Sequence, residues 1–320
     1  SSHVVSESLL NLPEPDNVFT VAADADSTTK GIVEPLAFDN GEVVEFSESI
    51  RARRQLTGDW LGTRSDLAEK GVTFKLFGTQ FYQGIADGGR AQEGEYGGKF
   101  DYLINLNGEK LGLNPGLFID LHGESRLGTT VNSDDGLIAP SNIAMNFPKE
   151  EGNVTALTGV KITQALSENF AVYFGKLNTL DEYPLRFNSQ LGLDRPGSGG
   201  FMNTSLVFNP IAARTVPYAT AAVGAAILQE GEPVFTFTVF DPQERATTGV
   251  KDLYARGVVL MPDFILKGTV FSRPSLLNLG GTYSTAQYQS VDPAAYLVIP
   301  DFGVIASEET GSWSLYANAF

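Results

Sequence analysis

The 320-residue chain has no cysteine, two histidines, two tryptophans and three methionines. Disulfides and thiolate metal sites are therefore excluded, and a chain crossing an oxidising compartment has nothing to mispair. Histidine chemistry has only His3 and His122 to draw on. Basic residues are scarce, 22 against 38 acidic, for a formal charge of −16 and a pI near 4.5. Nucleic-acid binding, which needs clustered Lys and Arg, is excluded as a primary role. No run approaches the roughly 18 apolar residues of a membrane helix. The mean hydropathy of −0.05 is that of a soluble protein. It does not register a membrane β-barrel, whose strands alternate lipid-facing and lumen-facing residues. No nucleophile elbow, zinc-protease helix or phosphate loop occurs. Neither enzymatic activity nor a cofactor or metal is expected.

What is present is period two. Residues 1–55 are acidic without sustained periodicity and read as a flexible extension. Residues 56–71, "LTGDWLGTRSDLAEKG", read as a short amphipathic helix with Trp60, Leu61, Leu67 and Ala68 on one face. Thr57 or Asp59 can cap its start and Gly71 can end it. Beyond Gly71 alternation predicts strands near 72–85, 98–111, 116–129, 154–166, 169–178, 218–229, 233–241, 253–262, 264–273, 276–288 and 311–320. Many reach ten residues, the length of a tilted membrane strand rather than of an ordinary globular one. Short turns such as "LSEN" and "EGEP" join some pairs, and long polar loops join others. An up-and-down barrel with short turns on one side and long loops on the other has this pattern. A soluble β-sandwich also alternates, so the pattern alone leaves both open.

"LFIDLHGESRLG", residues 117–128, is two-faced. Leu117, Ile119, Leu121 and Leu127 share one side. Asp120, His122, Glu124 and Arg126 share the other. Facing lipid, such charges would cost roughly 2–4 kcal/mol per cation at the midplane; facing a water-filled lumen, they cost little. The strand at 98–111 repeats the division, with Phe100, Tyr102, Ile104 and Leu106 opposite Asp101, Asn105, Asn107 and Glu109.

Four stretches carry a family resemblance: "LTGDWLGTRSDLAEKGVTF" (56–74), "GGFMNTSLVFNPIAARTVPYATAAVGAAI" (199–227), "FTVFDPQERATTG" (237–249) and "TGSWSLYANAF" (310–320). In this order they resemble the carbohydrate-selective outer-membrane porins of the OprB family. The resemblance implies an all-β fold: an antiparallel transmembrane barrel of about sixteen strands, with roughly eleven present and the closing strands missing from residues 56–320. It also implies a bacterial outer-membrane location, contact with outer-membrane lipid, and passive diffusion of small neutral sugars such as glucose through a monomer or homotrimer. A general or cation-preferring pore, or a soluble carbohydrate-binding sandwich, are the alternatives. Family channels narrow at a polar constriction, and hydroxyl-rich sugars suit paired donors and acceptors. Arg126 with Glu124 is the first candidate pair, extended by His122 and Asp120. A salt-bridge ladder bracing the wall is the other reading of the same row. Lys161 and Lys176 on the following strands, and Arg186 and Arg195 in the long loop 179–217, complete the candidate sugar-contacting set.

Overall fold

The computed structural model describes residues 57–134, 140–149, 152–180, 215–290, 292–299 and 303–319. The extension 1–55, together with Arg186 and Arg195, lies outside the described residues. One helix, α1 (Thr63–Glu69), precedes twelve strands: β1 (Val72–Gly84), β2 (Gly94–Asn107), β3 (Leu117–Gly128), β4 (Val154–Ser167), β5 (Phe170–Asn178), β6 (Ala219–Gln229), β7 (Glu232–Phe240), β8 (Val259–Val270), β9 (Arg273–Gln289), β10 (Tyr296–Ile299), β11 (Gly303–Ala306) and β12 (Glu308–Ala319). Ten of them form a single antiparallel sheet in the order β1 through β9, then β12. β10 and β11 form a separate hairpin within the β9–β12 connection. One continuous sheet of sequential neighbours is a barrel wall, not a two-sheet sandwich. Among the described residues no helix is long and apolar enough to cross a membrane, a statement that leaves strands untouched.

Antiparallel succession sorts the connections by end. Residues 108–116, 168–169, 230–231 and 271–272 turn at one end. Residues 85–93, 129–153, 179–218, 241–258 and 290–307 connect at the other. Glu230 and Gly231, then Phe271 and Ser272, have positive φ at both turn positions. That is the turn whose twist matches the flanking strands.

The faces separate as the alternation requires. Phe118, Asp120, His122, Glu124 and Arg126 of β3 are buried on one side. The other side exposes apolar residues that lie side by side across strands. Leu76 pairs with Tyr102, Phe174 with Val223, Phe264 with Leu279, and Tyr283 with Trp313, all exposed. This apolar face runs from β1 to β12, far beyond the scattered patches of soluble monomers.

The sheet curls around the polar face. Glu124 on β3 and Thr282 on β9 are both hydrogen-bonded to residues 215–218. In a flat sheet, strands six places apart lie about 29 Å apart. Four residues span roughly 10 Å of backbone, and side chains rise from a sheet rather than along it.

Three expectations change. The predicted strands 253–262 and 264–273 are one strand, β8, and residues up to 258 belong to the connection. Pro262 interrupts the pairing of β8 with β9 between Leu260 and Asp263 without ending the strand. The hairpin β10–β11 was not anticipated. The helix begins only at Thr63. Trp60 and Leu61 precede it with φ of 52° and 61°, so they share no helical face with Leu67. Asp59 Oδ1 instead accepts from the Ser65 N–H at 3.0 Å, and Gly71 closes the helix at φ 90°. Trp60 lies 5.0 Å from Phe74 of β1, with the Arg64 guanidinium near both rings.

A repeated packing device crosses the polar face. Tyr173 (β5), Gly224 (β6) and Thr238 (β7) are in register, and the Tyr173 hydroxyl bonds to Thr238 Oγ1 at 2.6 Å. Tyr316 (β12), Gly280 (β9) and Asp263 (β8) are in register, and the Tyr316 hydroxyl donates to Asp263 Oδ1 at 2.9 Å. Each ring lies across the intervening glycine, where a Cβ would overlap it. Gly224→Ala is expected to destabilise the detergent-solubilised protein by about 1–3 kcal/mol, the cost of overpacking. Gly268→Ala, where a Cβ meets nothing within 4 Å, serves as the unaffected comparison. Denaturant unfolding of both variants checks this.

Candidate functional site

The β2–β3 register sets the electrostatic problem. Lys99 stands opposite Arg126 and Asp101 opposite Glu124, like facing like. The side chains resolve it diagonally. Lys99 Nζ donates to Glu124 Oε1 and lies 3.8 Å from Asp101 Oδ1. His122 Nε2 lies 3.1 Å from the same Asp101 oxygen. All four side chains are almost fully buried. Truncating one member of such a pair costs about 3–5 kcal/mol, because the other charge remains buried.

Asn178, the last residue of β5, closes the cluster. Its Nδ2 lies 3.1–3.2 Å from His122 Nδ1, Glu124 Oε2, Thr158 Oγ1 and the Tyr218 hydroxyl. A carboxylate only accepts, so His122 donates through Nε2 to Asp101. Thr158 is placed by the irregularity in β3–β4 pairing at His122/Gly123, and its hydroxyl donates to the His122 carbonyl.

Tyr218 brings a connection into the site. Its hydroxyl donates to Glu124 Oε2 and its ring stacks on Phe147 with centroids 3.9 Å apart. Three residues earlier, Thr215 Oγ1 donates to Thr282 Oγ1 of β9 at 3.3 Å, and its carbonyl accepts from the Tyr288 hydroxyl. Residues 215–218 are thus a strut across the concave face. Segment 140–149 packs beside it on β1: Asn142 Nδ2 donates to Gln83 Oε1, and Met145 and Ala144 pack on Phe81.

The expected row is assembled in part. Asp120 Oδ1 accepts from Asn105 Nδ2 at 2.6 Å and faces Lys161 in register. The Lys161 ammonium lies 4.9 Å from the Tyr173 ring centre. Arg126 turns to the Gly152 carbonyl at 2.8 Å. Lys176 stands apart, bonding the carbonyls of Leu157, Ala246 and Thr248 at 2.8–3.4 Å. It ties β5 to the 241–258 connection, itself braced by Arg245 on Asp241 at 2.8 Å. Lys99, Asn178 and Tyr218 are site residues the sequence reading missed. Lys99 shares the parity of Asp101, so alternation could have found it. Asp101, His122 and Glu124 bring three ligand atoms within 4.8 Å of one another. The Lys99 ammonium already bonds within that group, and a divalent ion would have to displace it.

No family model and no curated protein matches the sequence. Among solved structures, the high-pH structure of Pseudomonas putida OprB aligns at a TM-score of 0.63 with 17% identity, over 85% of this chain and 66% of that one. The fold is that of OprB. The low-pH structure of the same protein aligns at a TM-score of 0.42, with 17% identity over 82% of this chain and 72% of the other, too low to bear on the fold. The chain spans just under two thirds of the high-pH OprB chain. The single antiparallel sheet of sequential strands agrees with that fold.

Tyr218→Phe keeps the ring on Phe147 and removes the strut's bond to Glu124. A loss of about 1–2 kcal/mol in unfolding free energy is expected, read from denaturant unfolding. Unchanged stability would show that this bond does not hold the strut.

Proposed function

We propose that the protein is an outer-membrane porin of bacteria through which small neutral sugars such as glucose diffuse passively. The observation that carries this reading is the division of the OprB-like sheet into an exposed apolar face and a polar face that holds every member of the charged row. The apolar face suits lipid and the polar face a water-filled lumen.

Charge balance supports neutral solutes over ions. Lys99, Arg126 and Lys161 meet Asp101, Glu124 and Asp120 on the same face, so the chain's net charge of −16 is not carried into this row. In this proposal Arg126, Glu124, His122, Asp120 and Lys161 are first a brace of the wall and only second a sugar contact, because Glu124 and Arg126 are 0% and 2% exposed. Lys176 fixes a connection at the mouth. Arg186 and Arg195, outside the described residues, are proposed as loop contacts on sequence grounds alone.

The protein in planar bilayers, with glucose titrated against single-channel current, tests the reading. Discrete conductance steps that fall saturably with glucose are expected. Steps indifferent to every sugar would leave a general pore. Absence of steps from a protein that stays in solution without detergent would overturn the porin reading.

A further inference from the structure

The charged row on β2–β4 is not the only polar surface on the concave side. Across the strut, the inward positions of β8, β9 and β12 include Asp263, Asn278, Tyr316 and Asn318. Asp263 and Asn278 are 3% and 2% exposed and bonded to each other at 2.6 Å. Above them, Tyr316 and Asn318 are half-buried. Each upper residue is held by a lower one: the Tyr316 hydroxyl donates to Asp263 Oδ1, and Asn318 Nδ2 donates to Asn278 Oδ1 at 3.0 Å. Gly280 beneath the ring admits this flat posture, since any Cβ there would overlap Tyr316 and crowd Asp263.

We propose that Tyr316 and Asn318 form the contact site for the sugar, with Asp263 and Asn278 as positioning residues beneath them. This inference rests on the transport reading above and names a different surface from the charged row. A pyranose presents C–H groups on its faces and hydroxyls at its rim. A tyrosine laid against the wall offers a flat apolar surface with a polar tip. A primary amide that has used one N–H retains a second donor and its carbonyl acceptor, which suits a hydroxyl at the rim. The paired side chains beneath fix both groups before a solute arrives, which lowers the ordering cost of each passage. A ligand without charge gains less from the opposite row, whose charges are buried and engaged with one another.

The test is glucose block of single channels in planar bilayers. Tyr316→Leu is expected to raise the half-blocking glucose concentration about tenfold, while ionic conductance stays within about twofold. Tyr316→Trp, which keeps a ring and an N–H donor, is expected to retain most of the block, and Tyr316→Phe, which loses the bond to Asp263, and Asn318→Ala are expected to weaken it severalfold. Asp263→Asn is expected to weaken the block without changing conductance. A merely structural residue would move conductance and stability instead. Block in Tyr316→Leu equal to wild type would overturn the proposal, as would a loss of block caused by Arg126→Ala alone. Wild-type channels that no sugar blocks would overturn the transport reading and this site with it.

Discussion

Glu124 is where the described wall is tied together. Its carboxylate takes the Lys99 ammonium from β2, the Asn178 amide from the end of β5 and the Tyr218 hydroxyl from the strut. Through Tyr218 it also engages Phe147 and thereby the segment packed on β1. The carboxylate is fully buried, and a buried charge left unpaired is among the costliest defects a fold can carry. Three separate parts of the chain must therefore be in place at once. Removing any donor leaves the remaining charge short of partners, so the cluster acts as a single cooperative unit rather than as three contacts.

That cluster also explains why the two polar surfaces on the concave side differ. Ordinary antiparallel pairing would have set Lys99 against Arg126 and Asp101 against Glu124, a repulsive arrangement. The diagonal contacts remove the repulsion by committing the charges to each other. A wall braced in this way is stiff, and its field at a distance is weak, because opposite charges a few ångströms apart cancel. Across the strut Asp263 accepts from the Asn278 amide and the Tyr316 hydroxyl, and Asn278 accepts from Asn318. In the proposed transport role, bracing and solute contact fall on different strands.

Much of the wall was legible from alternation, because a period of two admits one distribution of faces once one side must exclude charge. Nine of the predicted strands correspond to observed ones within a few residues. β8 was misread because Pro262 looks like a boundary and "LYARGVVL" alternates well enough to resemble a strand of its own. In three dimensions Pro262 gives up bonding to only one neighbour. Trp60 and Leu61 fit a helical period but take left-handed backbone angles that no periodicity records. Tyr218 and Asn178 were invisible for another reason. Tyr218 acts only once the wall bends until β3 and β9 come within reach of one short segment, and Asn178 only once β3, β4 and β5 are in register, both properties of the assembled sheet.

The two tyrosine–glycine contacts show how such a bent wall keeps its shape without apolar filling. Glycine in a strand contributes no side chain and weakens the strand. Gly224 and Gly280 are each covered by a tyrosine from the neighbouring strand, whose hydroxyl bonds to the strand beyond. One ring thus links three strands, replaces the missing side-chain contact and places its polar tip on the polar face. Two such links, one across β5–β7 and one across β8, β9 and β12, brace the polar face, the second on the strand that carries the strut's footing at Thr282. Tyr173 is buried beneath the Lys161 ammonium, whereas Tyr316 is half-buried. The same device therefore serves as a pure brace at one position and as an accessible aromatic surface at the other.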